Sequence, residues 1–84
     1  MKHAGSRALD QIEPILAELR KLGGLKEKTR GVFYRGSVAF LHFHEDPAGM
    51  FADLKTGEDF ERFRANTRAE IATLLDRAAS ALKH

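Results

Sequence analysis

The 84-residue sequence contains no cysteine, and its positive and negative side chains nearly cancel. Without cysteine the chain has no disulfide framework, no cysteine-ligated zinc site and no thiol nucleophile. A formal net charge of +2 provides little general attraction for a phosphate backbone, so we expect no nucleic-acid partner.

Long apolar runs are also missing, since no stretch approaches the roughly 20 residues that a membrane-spanning helix needs. The first ten residues lack the apolar segment of a signal peptide, which predicts a cytoplasmic protein without a membrane partner. We expect residues 1–84 to form one small domain, in which residues 1–9 add a loose turn or stay mobile. A domain of this size buries only roughly 60% of its unfolded surface, so self-association would add stability.

No recognisable catalytic motif is present. The Gly23–Gly24 pair ends a predicted helix and does not follow a strand, so it is not a phosphate-binding loop. Ser37 lies five residues before His42 on one predicted strand, about 17 Å away, too far to act as a nucleophile with that histidine as base. The sequence therefore predicts a protein that is not an enzyme.

Apolar residues at helical spacing predict a first helix over residues 12–22. Asp10 and Glu13 resemble a capping box at its start, which places Pro14 in the first turn, where proline costs little hydrogen bonding. Residues 25–30 are predicted to be a charged connector.

The centre of the chain is typical of antiparallel strands. Residues 32–35 and the run from Val38 onward flank Gly36–Ser37, a pair that suits a two-residue hairpin turn. Asp46–Gly49 forms a second turn with proline at its first central position and glycine at its end, and a third strand follows as far as Lys55.

Two helices are predicted after the strands. Residues 56–66 are expected to form a short helix with Phe60 and Phe63 one turn apart, and Thr67 and Glu70 form a capping box for the last helix. The predicted fold is α+β and two-layered, in the order α-β-β-β-α-α, with a three-stranded antiparallel meander packed on helices.

The turns predict the strand register, in which Phe33 pairs with Phe40 and His42 pairs with Asp53. One face of the sheet is then apolar and packs on helices, while the other combines phenylalanines with ionisable groups. That second face is too apolar to remain in water, so we expect either the short helix or a second copy of the protein to cover it. Its predicted interface residues are Phe33, Val38, Phe40 and Phe51.

The same face carries two histidines at alternate positions of the central strand. His42 and His44 lie about 7 Å apart along the strand, and Asp53 is predicted opposite His42. Two imidazoles and a carboxylate suit zinc, nickel or copper. The alternative interpretation is a structural hydrogen bond between one histidine and the aspartate.

The middle third of the chain resembles a group of short uncharacterised bacterial proteins, through residues 31–34, 39–47 and 52–53. The helix, meander and trailing helices are more loosely similar to the first half of small YjbR-like α/β domains. The group implies no activity, and no cofactor is expected beyond the metal considered above. We therefore predict a binding or assembly module that forms a homodimer or binds an unidentified protein; the alternative is a divalent-metal-binding protein using His42, His44 and Asp53.

Overall fold

The computed structural model of the protein describes residues 2–83. The elements in chain order are β1 (Lys2–His3), α1 (Ser6–Gln11), α2 (Glu13–Arg20), β2 (Lys26–Thr29), β3 (Val32–Arg35), β4 (Val38–Asp46), β5 (Gly49–Lys55), β6 (Phe60–Arg64) and α3 (Arg68–Ala81).

The six strands form a single antiparallel sheet with β4 at its centre. The order across the sheet is β2-β3-β4-β5-β6, and β1 pairs with the far end of β4, next to the point where β3 stops. The predicted α+β class, with an antiparallel meander packed on helices, is confirmed. The meander has five strands and not three, because the predicted charged connector and the predicted short helix each contain a strand.

The helices lie against one face of the sheet and enclose one hydrophobic core. Leu16 and Leu19 of α2 and Leu74 of α3 are fully buried, as are Leu41 and Leu54 of the central strands. Each buried leucine side chain contributes about 2 kcal/mol relative to exposure. Alternate residues of the strands point away from this core, and these residues form the second face of the sheet.

The hairpin between β4 and β5 has the predicted register. Leu41 pairs with Leu54, and His42 pairs with Asp53. Gly49 at the turn has a φ of 127°, a backbone angle that side chains resist, and the Asp46 carboxylate accepts a hydrogen bond from the Ala48 amide. The turn residues and the alternation of side chains between the two faces of each strand therefore predict the β4–β5 pairing correctly.

The predicted register between β3 and β4 is wrong beyond its first two pairs, because Phe40 occupies a bulge. Tyr34 pairs with Ala39 as expected, but the next pair joins Phe33 to Leu41. The extra residue turns Phe33 toward the helices, where it is 1% exposed, and Phe40 joins the same core at 3% exposure. Neither phenylalanine belongs to the second face.

The helix predicted over residues 56–66 is also wrong, since this segment contains strand β6. The spacing of Phe60 and Phe63 suggested one turn of helix, yet the two rings lie on opposite faces of the strand. Phe63 pairs with buried Ala52, whereas Phe60 pairs with Lys55. The backbone groups of β5 require partners, and β6 supplies them more completely than a helix would.

The N-terminal part differs from the prediction as well. Residues 2–9 contribute a strand and the beginning of a helix, and Asp10 lies inside that helix and does not cap the next one. Its carboxylate pairs with Arg30 at 2.8 Å, and Glu13 pairs with the same guanidinium at 2.9 Å. Pro14 does lie in the first turn of α2, as predicted.

The start of the last helix is as predicted. The Thr67 hydroxyl accepts a hydrogen bond from the Glu70 amide at 3.1 Å, and the Glu70 carboxylate accepts one from the Thr67 amide at 3.0 Å. This reciprocal capping box satisfies two backbone donors that the first turn leaves free.

Candidate functional site

The second face of the sheet, turned away from the helices, carries the residues that offer chemistry. No helix within residues 2–83 packs on it, so the predicted helical cover is wrong. Its side chains combine aromatic, cationic and imidazole groups with one carboxylate: Tyr34, His42, His44, Phe51, Asp53, Lys55, Phe60, Arg62 and Arg64. Phe60 is 43% exposed here, which leaves a large apolar ring in contact with water.

His42, His44 and Asp53 come together near the middle of this face. The three side chains each offer one ligand atom, and these atoms all lie within 4.8 Å of one another. His42 Nδ1 is 2.8 Å from His44 Nε2, and His44 Nε2 is 3.2 Å from Asp53 Oδ2. The central strand places the two imidazoles two residues apart, and the confirmed register of β5 places the carboxylate beside them.

The contact between the two rings limits how many protons the cluster can hold. A hydrogen bond from one ring nitrogen to another needs one N–H donor and one free lone pair. The hydrogen bond between the His42 and His44 rings can therefore form when both rings are neutral or when one of them is protonated. If both were protonated, two N–H groups would face each other and the hydrogen bond would be lost. The remaining nitrogen of His44, Nδ1, is buried and has no hydrogen-bond partner in the described chain.

Arg62 on β6 fixes the orientation of Asp53. Its Nε donates to Asp53 Oδ1 at 2.8 Å and its Nη2 donates to Oδ2 at 2.9 Å, which is a two-point contact with the carboxylate. The Arg62 hydrogen bonds lower the pKa of Asp53 below its ordinary value of 3.8. Asp53 is therefore ionised at neutral pH although it is only 9% exposed.

Burial lowers the pKa of His42 below its ordinary value of 6.5, and the positive charge that His44 can carry acts in the same direction. The Phe60 ring lies 5.1 Å from the His42 ring between centroids and contributes to that burial. His42 is consequently neutral at physiological pH, with a lone pair available to a metal ion or to a proton donor.

This arrangement suits a divalent transition-metal ion. In a tetrahedral zinc site the ligand atoms lie about 3.3 Å apart. The two distances around His44 Nε2 are 2.8 and 3.2 Å, and the remaining pair of ligand atoms lies within 4.8 Å, so the side chains would adjust slightly around an ion. A carboxylate has about four lone-pair positions, of which Arg62 uses two, so Asp53 retains capacity for a metal. The residues predicted as ligands from the sequence are thus brought together.

A third histidine, which the sequence reasoning missed, lies beside the cluster. The His3 ring is 4.9 Å from the His44 ring and 5.9 Å from the His42 ring, measured between centroids. His3 arrives there because β1 pairs with β4 with His3 opposite His44. Nothing in residues 1–9 signals such a short strand, and we know of no sequence pattern that would have found it.

The predicted interface residues, in contrast, do not share a face. Phe33 and Phe40 are buried in the core, so they cannot contact another molecule without unfolding. Val38 is 48% exposed but pairs with Arg35, whose guanidinium donates to the carbonyl of Ala81 on the helix side. Of the four, only Phe51 lies on the second face.

Comparisons of the chain with protein-family models, with curated proteins and with solved structures found no match. The resemblance to short bacterial proteins and to YjbR-like domains therefore stays a prediction. Within residues 2–83, no helix has the length and apolar character required to cross a bilayer.

Proposed function

We propose that the protein binds a divalent transition-metal ion, with Zn²⁺ as the best-suited ion and Ni²⁺ and Cu²⁺ as related candidates. The observation that carries this proposal is the convergence of His42, His44 and Asp53, whose ligand atoms lie within 4.8 Å of one another. Two imidazole nitrogens and one carboxylate oxygen are ligands that these ions share.

The protonation states of the cluster support the proposal. Metal ligands must be deprotonated, and the environment keeps His42 neutral and Asp53 ionised at neutral pH. The Arg62 contact resembles the outer-shell hydrogen bonds that hold a ligating carboxylate in a fixed orientation. A metal ion would also replace the short ring-to-ring contact, in which His44 Nε2 faces both a nitrogen and a carboxylate oxygen.

The proposal is tested by calorimetric titration of ZnCl₂ into protein that was prepared without a histidine tag and dialysed against chelator. We expect one ion per chain, and we expect more than tenfold weaker binding for His44→Gln and for Asp53→Asn. Asp76→Asn is the matched control, because it removes an exposed carboxylate of α3. Histidine ring resonances in NMR spectra should shift on titration in the wild type.

Two results would reject a metal function: no heat or spectral change with Zn²⁺, Ni²⁺ or Cu²⁺, or equal affinity in the wild type and in His44→Gln. Far-UV circular dichroism of each variant separates lost ligation from lost folding. Asp53→Asn keeps the shape of the side chain, so it is the variant least expected to disturb the sheet.

A second candidate function is self-association through the second face of the sheet. One observation favours it: the face is uncovered within the described residues and exposes Phe60 and, partly, Phe51. Identical patches that pack about a two-fold axis would bury both rings. Homodimerisation, a further protein partner and a cytoplasmic location remain predictions.

A further inference from the structure

Strand β1 consists of only two residues, Lys2 and His3, and it occupies a specific gap in the sheet. The pairing of β3 with β4 ends where Val32 meets His42, so the edge of β4 beyond His42 lacks a partner from β3. The N-terminal segment fills that gap. The Ala4 amide donates to the Phe43 carbonyl at 3.2 Å.

A side-chain contact adds to this attachment, since the Gly5 amide donates to Glu45 Oε1 at 2.8 Å. A strand of only two residues is a weak element, because fixing the backbone of each residue costs about 1–2 kcal/mol of conformational free energy. Its docking onto β4 is therefore open to control by any additional contact.

His3 lies beside the cluster; its nitrogens are not among the ligand atoms that lie within 4.8 Å of one another, so its exposed ring would have to rotate to bind the same ion. Its side chain is exposed, and its ring centroid is 4.9 Å from that of His44 and 5.9 Å from that of His42. Because His3 lies opposite His44 in an antiparallel pair, both side chains project to the same side of the sheet. That side is the one on which Asp53 completes the cluster.

Three protein ligands leave a tetrahedral ion with one position to fill. We propose that His3 supplies the fourth ligand, so that a bound zinc ion joins β1 to the central strands and holds the N-terminal segment on the sheet. This inference rests on the proposed metal function and adds a consequence to it. The ion would regulate whether the N-terminal segment is docked.

Thermodynamic linkage gives the proposal two measurable signs. If zinc binds the docked form more tightly, it increases the docked population, and docking in turn strengthens zinc binding by the same factor. Loss of the His3 imidazole should therefore weaken zinc binding about tenfold or more. The ion should still bind to the other three ligands with this lower affinity. It should also remove the effect of zinc on the N-terminal segment.

The experiment combines zinc titration with amide hydrogen exchange measured by NMR. The amides of Ala4 and Gly5 report docking directly, because both donate to β4. In the wild type we expect zinc to slow their exchange at least tenfold. The Leu82 amide donates to the Ala78 carbonyl at the end of α3, where Arg35 also contacts Leu82 at the opposite end of β4 from β1, and it serves as the internal control that zinc leaves unchanged.

His3→Gln should lose both effects, and Arg7→Gln, which changes an exposed side chain of α1, should keep them. If His3→Gln binds zinc within threefold of the wild type and its Ala4 and Gly5 amides are protected equally, His3 is not a ligand and this inference is overturned, while the three-residue metal site stands. If the wild type itself binds no zinc, the proposed function fails first.

Discussion

At the scale of single residues, His42 links the chemistry of the cluster to pH. Its pKa is lowered by burial and by the neighbouring imidazoles of His44 and His3, whereas the Asp53 carboxylate acts in the opposite direction. The folded protein therefore binds a proton at His42 less readily than the unfolded chain does. Stability and metal binding must both weaken when the solution becomes acidic enough to protonate this ring.

We expect the free energy of unfolding of the metal-free protein to fall as the pH drops through 6.5, the ordinary pKa of histidine, toward the lower folded-state pKa of His42. In that interval the unfolded chain takes up a proton that the folded chain does not. The measurement is urea unfolding from about pH 8 to about pH 5 in chelator. His42→Gln should show a smaller pH dependence over this range.

Asp53 cannot account for a change in that interval. Its pKa is lowered in the folded protein, so its carboxylate is protonated, and its contribution to stability is lost, only when the pH falls below about 3.8, the ordinary pKa of an aspartate. A His42→Gln protein with the same pH dependence as the wild type would therefore contradict the assigned pKa shift of His42, and the source would have to be another group.

The candidate ligands on β4 and β5 were predictable at this scale, whereas His3 was not. Alternation along β4 puts His42 and His44 on one face, and the turn at Gly49 sets the register that brings Asp53 beside them. His3 depends on a gap in the sheet that exists only because β3 is short. No local pattern in the sequence contains that information.

At the scale of elements, the β4–β5 turn should be the most sensitive connection. A Cβ atom at Gly49 would lie 2.6 Å from Asn66 Oδ1. The side chain of Asn66 already makes two hydrogen bonds with the backbone of Met50: its Oδ1 accepts from the Met50 amide, and its Nδ2 donates to the Met50 carbonyl. Moving Asn66 aside would break those bonds, and the φ of 127° is strained for any residue with a side chain.

Gly49→Ala should therefore lower the free energy of unfolding by about 2–4 kcal/mol, from backbone strain and a lost hydrogen bond. Gly36→Ala is the matched control, since its φ is 63° and nothing lies within 4 Å of the added atom. It should cost only about 1 kcal/mol. Urea unfolding of both variants provides the comparison, and equal losses would show that the Asn66 contact is unimportant.

The elements that sequence reasoning misplaced share a physical cause. The bulge at Phe40 inserts one residue into the ladder, and neither its position nor its presence is marked by glycine or proline. The sequence predicts a helix in place of strand β6 because a spacing of three residues between phenylalanines occurs in both structures. Long-range pairing with β5 decided between them, and that pairing is invisible in a local window.

At the scale of the whole molecule, the open face predicts how the protein would associate. If two copies meet there, light scattering at tens of micromolar should give twice the chain mass of 9.4 kDa. Phe60→Ser should yield a folded monomer, and Val38→Ser should remain a dimer, because Val38 is similarly exposed but lies on the helix side.

Repeating the measurement with EDTA separates the two candidate functions. A dimer in both buffers makes association independent of metal, whereas dissociation by EDTA would connect the ion to the interface. A wild-type monomer at every concentration would eliminate self-association through this face and leave metal binding as the remaining candidate.

The outermost strands of the sheet, β2 and β6, have a consequence for how this molecule behaves when it is crowded. Unpaired strand edges invite further strands to add on and can seed filaments. Here both edges are rich in charge, with Lys26, Glu27 and Lys28 on β2 and Glu61, Arg62 and Arg64 on β6. Lateral growth would remove water from these charged side chains and confine them beside those of the next copy, so sheet extension at β2 and β6 is disfavoured.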